Sequence, residues 1–259
     1  MPNQTDRARS RPQLLTIPVS HFCEKTRWAL DWVGLAYEER PHVPLFHRLA
    51  TRASGGTSVP VLVAAEGSLT DSRDILHYLD ARASSERALY PRDPERAREV
   101  AALEAWFDRE LGPAARRWAY YYQLGDHATL RQAWCMGTPR WERVGFELGF
   151  PLMCELVRRA YRPTPAGASA ARDCIQSTFE TVGERLNGSG PYLGGETPSA
   201  ADLTFAALAA PVLLPECHPV MPPLSDRLPA AMATAVRQWR ATPAGQFALN
   251  LYRYQRGWC

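Results

Sequence analysis

A serine and a cysteine lie where the first predicted strand gives way to the first predicted helix. Ser20 stands at the start of this helix, and Cys23 follows within its first turn. The N-terminus of a helix carries unpaired N–H groups and the positive end of the helix dipole, so it stabilises an anion such as a thiolate. A hydroxyl here can hold an external thiolate, whereas a cysteine here can itself ionise. A role for Ser20 as a helix cap alone also accounts for its position.

Two later segments place polar groups at the ends of predicted elements. Pro60 opens a run of β-branched residues, where it removes a backbone donor from the sheet. This position predicts a cis Val59–Pro60 peptide bond, with the Val59 backbone turned towards a ligand. Asp71 is a predicted N-cap, and Ser72 brings a hydroxyl and an N–H group to a helix end that favours a carboxylate. Simple capping is the alternative interpretation of this pair.

The elements that must position these residues alternate between strands and helices. Short apolar or β-branched runs predict strands at 13–17, 37–40, 59–64 and 69–70. Apolar residues at helical spacing predict helices at 23–33, 45–52 and 71–82. The order strand, helix, strand, helix, strand, strand, helix is that of an α/β domain, to which we assign residues 12–83.

Helical periodicity without a persuasive strand signal characterises the rest of the chain. Residues 84–94 combine charged residues, serines and prolines, and we predict that they form a linker. Helices are predicted at 95–119, 148–161, 168–186, 200–214 and 229–240. The stretch 125–149 is less regular, and we expect it to add a lid or to widen a pocket. The second domain, 95–259, is therefore predicted to be all-helical.

Composition argues against several classes of protein. The chain of 259 residues has a formal net charge of +3, which is too small to indicate a nucleic-acid partner by electrostatics alone. No apolar run reaches the roughly 18 residues of a membrane span, so we predict no membrane association. The polar N-terminus lacks the apolar segment of a secretory signal. Lys25 is the only lysine among 30 basic residues, an arginine bias that indicates a high-GC, bacterial genome.

The cysteine and histidine patterns give no sign of a metal site. The six cysteines are scattered without the paired spacing of zinc ligands, and the six histidines show no metal or triad spacing. We therefore predict no metal. Six cysteines without a secretory signal indicate reduced thiols and a cytoplasmic location. The chain also lacks the Walker A, GxGxxG and GxSxG motifs of nucleotide-binding proteins and hydrolases.

The order and spacing of these motifs resemble the cytosolic glutathione transferase superfamily. The motifs that carry the resemblance are Ser20-x-x-Cys23, Val59-Pro60, Asp71-Ser72 and the capping box Ser199-x-x-Asp202. The resemblance implies an α/β thioredoxin-like N-terminal domain that binds glutathione. It implies that an all-α helical-bundle C-terminal domain follows and supplies a pocket for a hydrophobic substrate.

The resemblance also implies which residues bind glutathione, the co-substrate. Val59 would offer its backbone N–H and C=O groups to the cysteinyl part, beside the cis-proline Pro60. Asp71 and Ser72 would hold the γ-glutamyl amine and carboxylate. The candidates for contact with the glycyl carboxylate are His42, His47, Arg48 and Arg52. For each of the four, a surface position without a ligand is the alternative interpretation.

Catalytic roles follow from the same resemblance. Ser20 occupies the position of the catalytic hydroxyl in serine-type classes and of a nucleophilic cysteine in other classes. Cys23 occupies the second cysteine position of a CxxC motif whose first cysteine is absent, a departure that argues against dithiol chemistry. The segment 118–122 is the expected aromatic source for the pocket, with Trp118, Tyr121 and Tyr122 as its lining. For any single ring, an aromatic core stripe between the two domains is the alternative interpretation.

The function implied is that of a glutathione transferase. It would activate the glutathione thiol for attack on a small hydrophobic electrophile, in the cytoplasm and as a homodimer. Isomerisation, peroxide reduction and ether cleavage use the same thiolate. Three alternatives stay open: a non-catalytic binding or interaction module with this fold, a thiol-transferase that uses Cys23, and a transferase for another small thiol.

Overall fold

A four-stranded mixed sheet forms the first part of the chain. The structure is a computed structural model that describes residues 11–188, 190–220 and 228–257. The strands are β1 (Gln13–Thr16), β2 (Glu38–Pro41), β3 (Val61–Ala64) and β4 (Gly67–Leu69). Their order is β2-β1-β3-β4, with β1 parallel to β2 and the other two pairs antiparallel. Three helices accompany the sheet: α1 (His21–Val33), α2 (His47–Arg52) and α3 (Ser72–Asp80).

Helices make up the second part of the chain. They are α4 (Pro94–Arg109), α5 (Leu111–Gln123), α6 (His127–Cys135), α7 (Arg140–Tyr161), α8 (Pro165–Leu186), α9 (Ala200–Leu213), α10 (Ala230–Arg240) and α11 (Pro243–Tyr254). The predicted fold class, a small α/β domain followed by an all-helical domain, is confirmed.

Three details of the helical part differ from the prediction. The predicted helix 95–119 is two helices, α4 and α5, which meet at Glu110. The stretch 125–149 is more regular than expected, because it contains α6 and the first part of α7. Helix α11 was not predicted, although Thr242 caps it and Pro243 occupies its first turn, a start signal that the sequence shows.

Helix α9 forms the centre of the helical part. Every residue of this helix is buried, and it packs against α1, α4, α5 and α11. The predicted capping box is present: the Asp202 carboxylate accepts hydrogen bonds from the backbone N–H groups of Ser199 and Leu193, each at 2.8 Å. These bonds satisfy buried donors that the apolar surroundings would otherwise leave unpaired.

The cysteines only partly follow the prediction of reduced thiols. Cys23, Cys135, Cys154 and Cys174 are free, whereas Cys217 is disulfide-bonded, so the prediction is wrong for that residue. Cys259 lies outside the described residues. Within the described ranges, no helix is both long enough and apolar enough to span a membrane.

A buried ion-pair cluster joins α1 to α4. The Lys25 ammonium lies 2.8 Å from a Glu104 oxygen and 2.7 Å from an Asp108 oxygen, and the Lys25 and Glu104 side chains are fully buried. The Tyr90 hydroxyl donates a hydrogen bond to the other oxygen of Glu104. Charged groups are buried at a large desolvation cost unless they are paired, so this cluster ties the sheet part to the helical part.

Replacing Lys25 by Met should strongly destabilise the fold. The change leaves the buried carboxylate of Glu104 and the half-buried carboxylate of Asp108 without their cation, and we expect the free energy of unfolding to fall by about 3–5 kcal/mol. Urea denaturation monitored by tryptophan fluorescence measures this loss. As a control, Arg82→Met removes an exposed pair with Glu66 and should cost less than about 1 kcal/mol. Equal losses in the two variants would contradict the structural role given to Lys25.

Candidate functional site

A cavity of about 620 Å³ lies between the sheet part and the helical part. The sheet side contributes Ser20 at the start of α1, Val59 before β3, and two residues of α2, His47 and Arg48. The helical side contributes residues of α5, α6 and α7. A cavity of this size lies in the usual range of small-molecule binding sites.

Ser20 lies at the cavity wall as the N-cap of α1. Its Oγ accepts a hydrogen bond from the backbone N–H of Cys23 at 3.3 Å. The capping bond uses the oxygen as an acceptor, so the hydroxyl proton is left to donate to a ligand in the cavity. Ser20 therefore has both roles open to it, that of a cap and that of a donor to an anion at the positive end of the α1 dipole.

The Val59–Pro60 peptide bond is cis, as the sequence predicted. Val59 lines the cavity and is half-buried, and Pro60 is buried directly before β3. The structure thus brings Val59 to the same cavity as Ser20. Because Val59 precedes the strand, its backbone groups are not part of the described β1–β3 pairing.

Asp71 and Ser72 start helix α3, as predicted. Asp71 is the N-cap: its Oδ1 accepts a hydrogen bond from the N–H of Arg73 at 2.8 Å, and its side chain is exposed. Ser72 is buried. Neither residue lines the cavity that Ser20 and Val59 share. The pair follows β4 directly, and β4 lies beside β3 in the sheet.

Cys23 is placed unfavourably for nucleophilic chemistry. Its side chain is fully buried, and it does not line the cavity. Burial raises the pKa of the Cys23 thiol, although the Arg27 guanidinium and the hydrogen bond with Ser20 act in the opposite direction. The thiolate, which is the reactive form, is therefore disfavoured at this position.

His21 packs between α1 and α5 as a neutral ring. Its Nε2 is 2.9 Å from the carbonyl oxygen of Gly112, so Nε2–H donates this bond. Burial, together with the nearby Arg116 guanidinium, lowers the pKa of His21 to about 3. Gly112 allows the close packing, because a Cβ atom there would lie 2.6 Å from the ring of Phe22.

The aromatic wall of the cavity differs from the predicted one. Tyr120 of α5 lines the cavity, and it stacks on Tyr161 with ring centroids 5.4 Å apart. Trp134 and Phe22 also line it.

The three aromatic residues predicted for the pocket lie elsewhere. Trp118 is buried in the main core against Trp239, Tyr122 packs against Trp118 in the same region, and Tyr121 is exposed. None of the three lines the cavity. Helical geometry explains the difference, since residues adjacent in sequence point about 100° apart around α5 and only one of the four clustered aromatic residues faces the cavity.

Two of the four candidates for the glycyl carboxylate line the cavity. These are His47 and Arg48, whereas Arg52 is exposed away from the cavity lining. Burial lowers the pKa of His47 to about 4, with Arg48 and His42 acting in the same direction. His42 is engaged elsewhere: its Nδ1 lies 2.6 Å from the Glu142 carboxylate at the start of α7.

Among the described residues, the cavity lining includes three arginines and no acidic side chain. Arg48 comes from α2, Arg116 from α5 and Arg159 from α7. A cavity with this lining attracts anions, and thiolates and carboxylates are the simplest biological examples. No group of histidine, cysteine and carboxylate side chains in the described part of the chain could hold a metal ion.

Comparisons with known proteins give one family match and several solved structures with a similar fold. Residues 14–87 match the family model described as glutathione S-transferase, N-terminal domain. No curated protein sequence matches the chain. A glutathione S-transferase from Rhodospirillum rubrum F11 is 20% identical, with 92% of this chain and 91% of that chain covered and a TM-score of 0.55.

Two further solved structures have the same fold. A beta-etherase from Sphingobium sp. strain SYK-6 is 18% identical and has a TM-score of 0.58, with 93% of this chain and 99% of that chain covered. A glutathione S-transferase I bound with lactoylglutathione is 16% identical and has a TM-score of 0.56, with 93% and 100% covered. The chain therefore has the fold of the glutathione S-transferase superfamily, and its first part matches the N-terminal domain of that family. The resemblance seen in the sequence is confirmed.

The buried neutral His21 predicts a loss of stability in acid. Its pKa is about 3 in the folded state and about 6.5 in the unfolded chain, so below pH 6.5 only the unfolded state takes up the proton. His21 should therefore destabilise the fold by about 2 kcal/mol at pH 5 relative to pH 7.

His21→Gln keeps a donor for the Gly112 carbonyl and removes this titration. The difference in unfolding free energy between pH 7 and pH 5, measured by urea denaturation, should shrink by about 2 kcal/mol in this variant. The exposed His127, changed to Gln, is the matched control and should leave the difference as it is in the wild type. An unchanged difference in His21→Gln would mean that His21 is not held neutral.

Proposed function

We propose that this protein is a glutathione transferase that activates the glutathione thiol for attack on a hydrophobic electrophile. The observation that carries the proposal is that the Ser20 hydroxyl and the backbone at Val59 meet in one cavity whose opposite wall is aromatic. A thiol bound at Ser20 and Val59 would face an aromatic ring of the second substrate bound against the aromatic wall. The match to the N-terminal domain family and the shared fold support the same conclusion.

Glutathione would lie along the sheet side of the cavity. In the proposal, Val59 pairs with the cysteinyl backbone, and Asp71 and Ser72 at the start of α3 hold the γ-glutamyl group. His47 and Arg48 are suited to the glycyl carboxylate, because both line the cavity, and the Nδ1 of His47 is a buried polar atom without a hydrogen-bond partner in the described structure. A carboxylate oxygen would satisfy that atom if it carries the proton.

The thiol would be activated at the N-terminus of α1. The Ser20 hydroxyl donates a hydrogen bond to the sulfur, and the dipole of α1 stabilises its negative charge, so the thiol proton is released to solvent. The sulfur then attacks the electrophilic carbon, a C–S bond forms, and the leaving group departs with its bonding electrons. The contribution of the protein is the stabilisation and placement of the thiolate.

The electrophile would bind against the aromatic rings of Tyr120 and Tyr161. Flat hydrophobic molecules gain contact area and stacking energy on such a surface. Ether cleavage, for which the beta-etherase of the same fold is named, requires the same thiolate.

We also propose that the protein is bacterial and cytoplasmic and that it acts as a homodimer. Its domains would be residues 12–83 and 95–259, joined by a linker at 84–94.

Ser20→Ala should reduce turnover by about 10- to 150-fold, because a hydrogen bond to a charged group contributes about 1.5–3 kcal/mol. The measurement is the rate of conjugation of a chloro-dinitrobenzene at saturating glutathione, with glutathione affinity determined in parallel. Glutathione affinity should change far less than the rate.

Cys23→Ala serves as the comparison and should retain most activity, since the Cys23 thiol is buried outside the cavity. Loss of activity in Cys23→Ala, together with a Cys23–glutathione adduct found by mass spectrometry, would replace the proposal with a thiol-transferase mechanism. Retention of glutathione without turnover of any electrophile in a panel would indicate a binding module.

Asp71→Ser tests the γ-glutamyl site without removing the helix cap. Serine caps a helix about as well as aspartate, so the variant loses the charge but keeps the start of α3. We expect glutathione to bind about 10- to 100-fold more weakly by calorimetry, the cost of one charge-assisted hydrogen bond.

Asp93 is an exposed N-cap of α4 that accepts a hydrogen bond from the N–H of Arg96, so Asp93→Ser is the matched control and should bind glutathione normally. Equal affinity in the two variants would leave Asp71 as a helix cap alone.

A further inference from the structure

Arg116 holds a positive charge inside the cavity that no carboxylate of the described residues neutralises. It lies on α5, lines the cavity, and is half-buried. Its Nε is buried and has no hydrogen-bond partner in the described structure. No ion pair joins it to an acidic side chain of the described residues, and the cavity lining offers none. A partly desolvated guanidinium without a counter-charge is costly, so it is suited to receive an anionic ligand.

Arg116 differs in this respect from the other two cavity arginines. Arg159 is exposed and already pairs with Glu155 at 2.9 Å. Arg48 is exposed on the sheet side, beside the groups that the proposed function assigns to glutathione. Arg116 belongs to the opposite, helical side, where the second substrate would lie.

The surroundings of Arg116 define the shape of its ligand. The guanidinium carbon lies 4.4 Å from the ring centroid of Tyr161 and 5.9 Å from that of Phe22. Tyr161 in turn stacks on Tyr120. The cation therefore sits at the edge of an aromatic wall, and its planar group is fixed against a ring, which pre-organises its donors for a planar anion.

We propose that Arg116 binds an anionic group on the electrophile, so that the second substrate is an aromatic compound that carries a carboxylate. The ring lies against Tyr120 and Tyr161, and the carboxylate accepts hydrogen bonds from the Arg116 guanidinium. A bidentate pair of this kind orients the ring as well as holding it. The inference rests on the proposed function, since it names the class of electrophile that the thiolate attacks.

The anion site is tested by binding, without turnover. Wild-type protein saturated with S-methylglutathione is titrated by calorimetry with dinitrobenzoate and with dinitrobenzamide, which share a ring and differ in charge. Wild type should bind the benzoate more tightly than the amide. In Arg116→Gln the benzoate should bind about 10- to 100-fold more weakly, the loss expected for a charge-assisted hydrogen-bonded pair, while the amide changes by less than about threefold.

Two more variants guard against misfolding and non-specific charge effects. Arg116→Lys keeps the charge but not the planar donors, and it should recover part of the preference for the benzoate. Arg109→Gln removes an exposed charge outside the cavity and should bind both ligands as wild type does. An equal loss of both ligands in Arg116→Gln, or no preference for the benzoate in wild type, would overturn the inference. A matching loss of S-methylglutathione affinity would assign Arg116 to the glutathione site and would overturn it as well.

The proposed function is tested separately, by conjugation of the neutral chloro-dinitrobenzamide and the anionic chloro-dinitrobenzoate. Turnover of the neutral compound without any preference for the anion would preserve the proposed function and refute the anion site. Preference for the anion in binding, without turnover of either compound, would preserve the anion site and refute the transferase.

Discussion

The burial of helix α1 between the sheet and the helical part is the constraint on which the rest of the structure depends. Ten of its 13 residues are buried, including Glu24, Lys25 and Arg27, so each charge needs a partner. Lys25 finds its partners on α4. Glu24 accepts a hydrogen bond from Arg256 near the end of the described chain, at 2.7 Å. Because these partners come from distant segments, the fold cannot place α1 correctly unless both parts of the chain are assembled.

The same burial determines the chemistry at the start of α1. Burial keeps His21 neutral and disfavours the thiolate of Cys23, as their shifted pKa values show. Ser20, half-buried at the cavity wall, is the residue of this segment that combines access to a ligand with a free hydroxyl proton. The tight helix–helix contact at Gly112 and the burial of His21 therefore have one cause, the close packing of α5 on α1.

The cavity lies between the sheet part and helices α5, α6 and α7. Their aromatic residues form the wall, and a second, smaller core, which includes Trp134, Phe146 and Phe150, supports it from behind. Glu142 at the start of α7 accepts a hydrogen bond from the backbone N–H of Val43 at 2.9 Å, which fastens this wall to the segment before α2. Charge is distributed unevenly around the cavity: within the described part of the chain, the lining has basic and neutral side chains and no carboxylate.

Local signals in the sequence are sufficient to predict several helix caps and one cis peptide bond. Ser20, Asp71 and the Ser199–Asp202 box could be predicted because a capping residue acts within three or four positions of itself, and the cis Val59–Pro60 bond could be predicted from a proline at a strand start.

Only the tertiary structure decided which side chains face the cavity. On α5, Tyr120 and Arg116 line the cavity, and the residues that do not are Trp118, Tyr121 and Tyr122. The face that a helix turns towards a cavity depends on the elements that pack against its other faces. The sequence by itself determined the fold class and the capping serine at the start of α1. The aromatic wall opposite, and the Arg116 charge placed in it, depended on contacts between residues far apart in the chain.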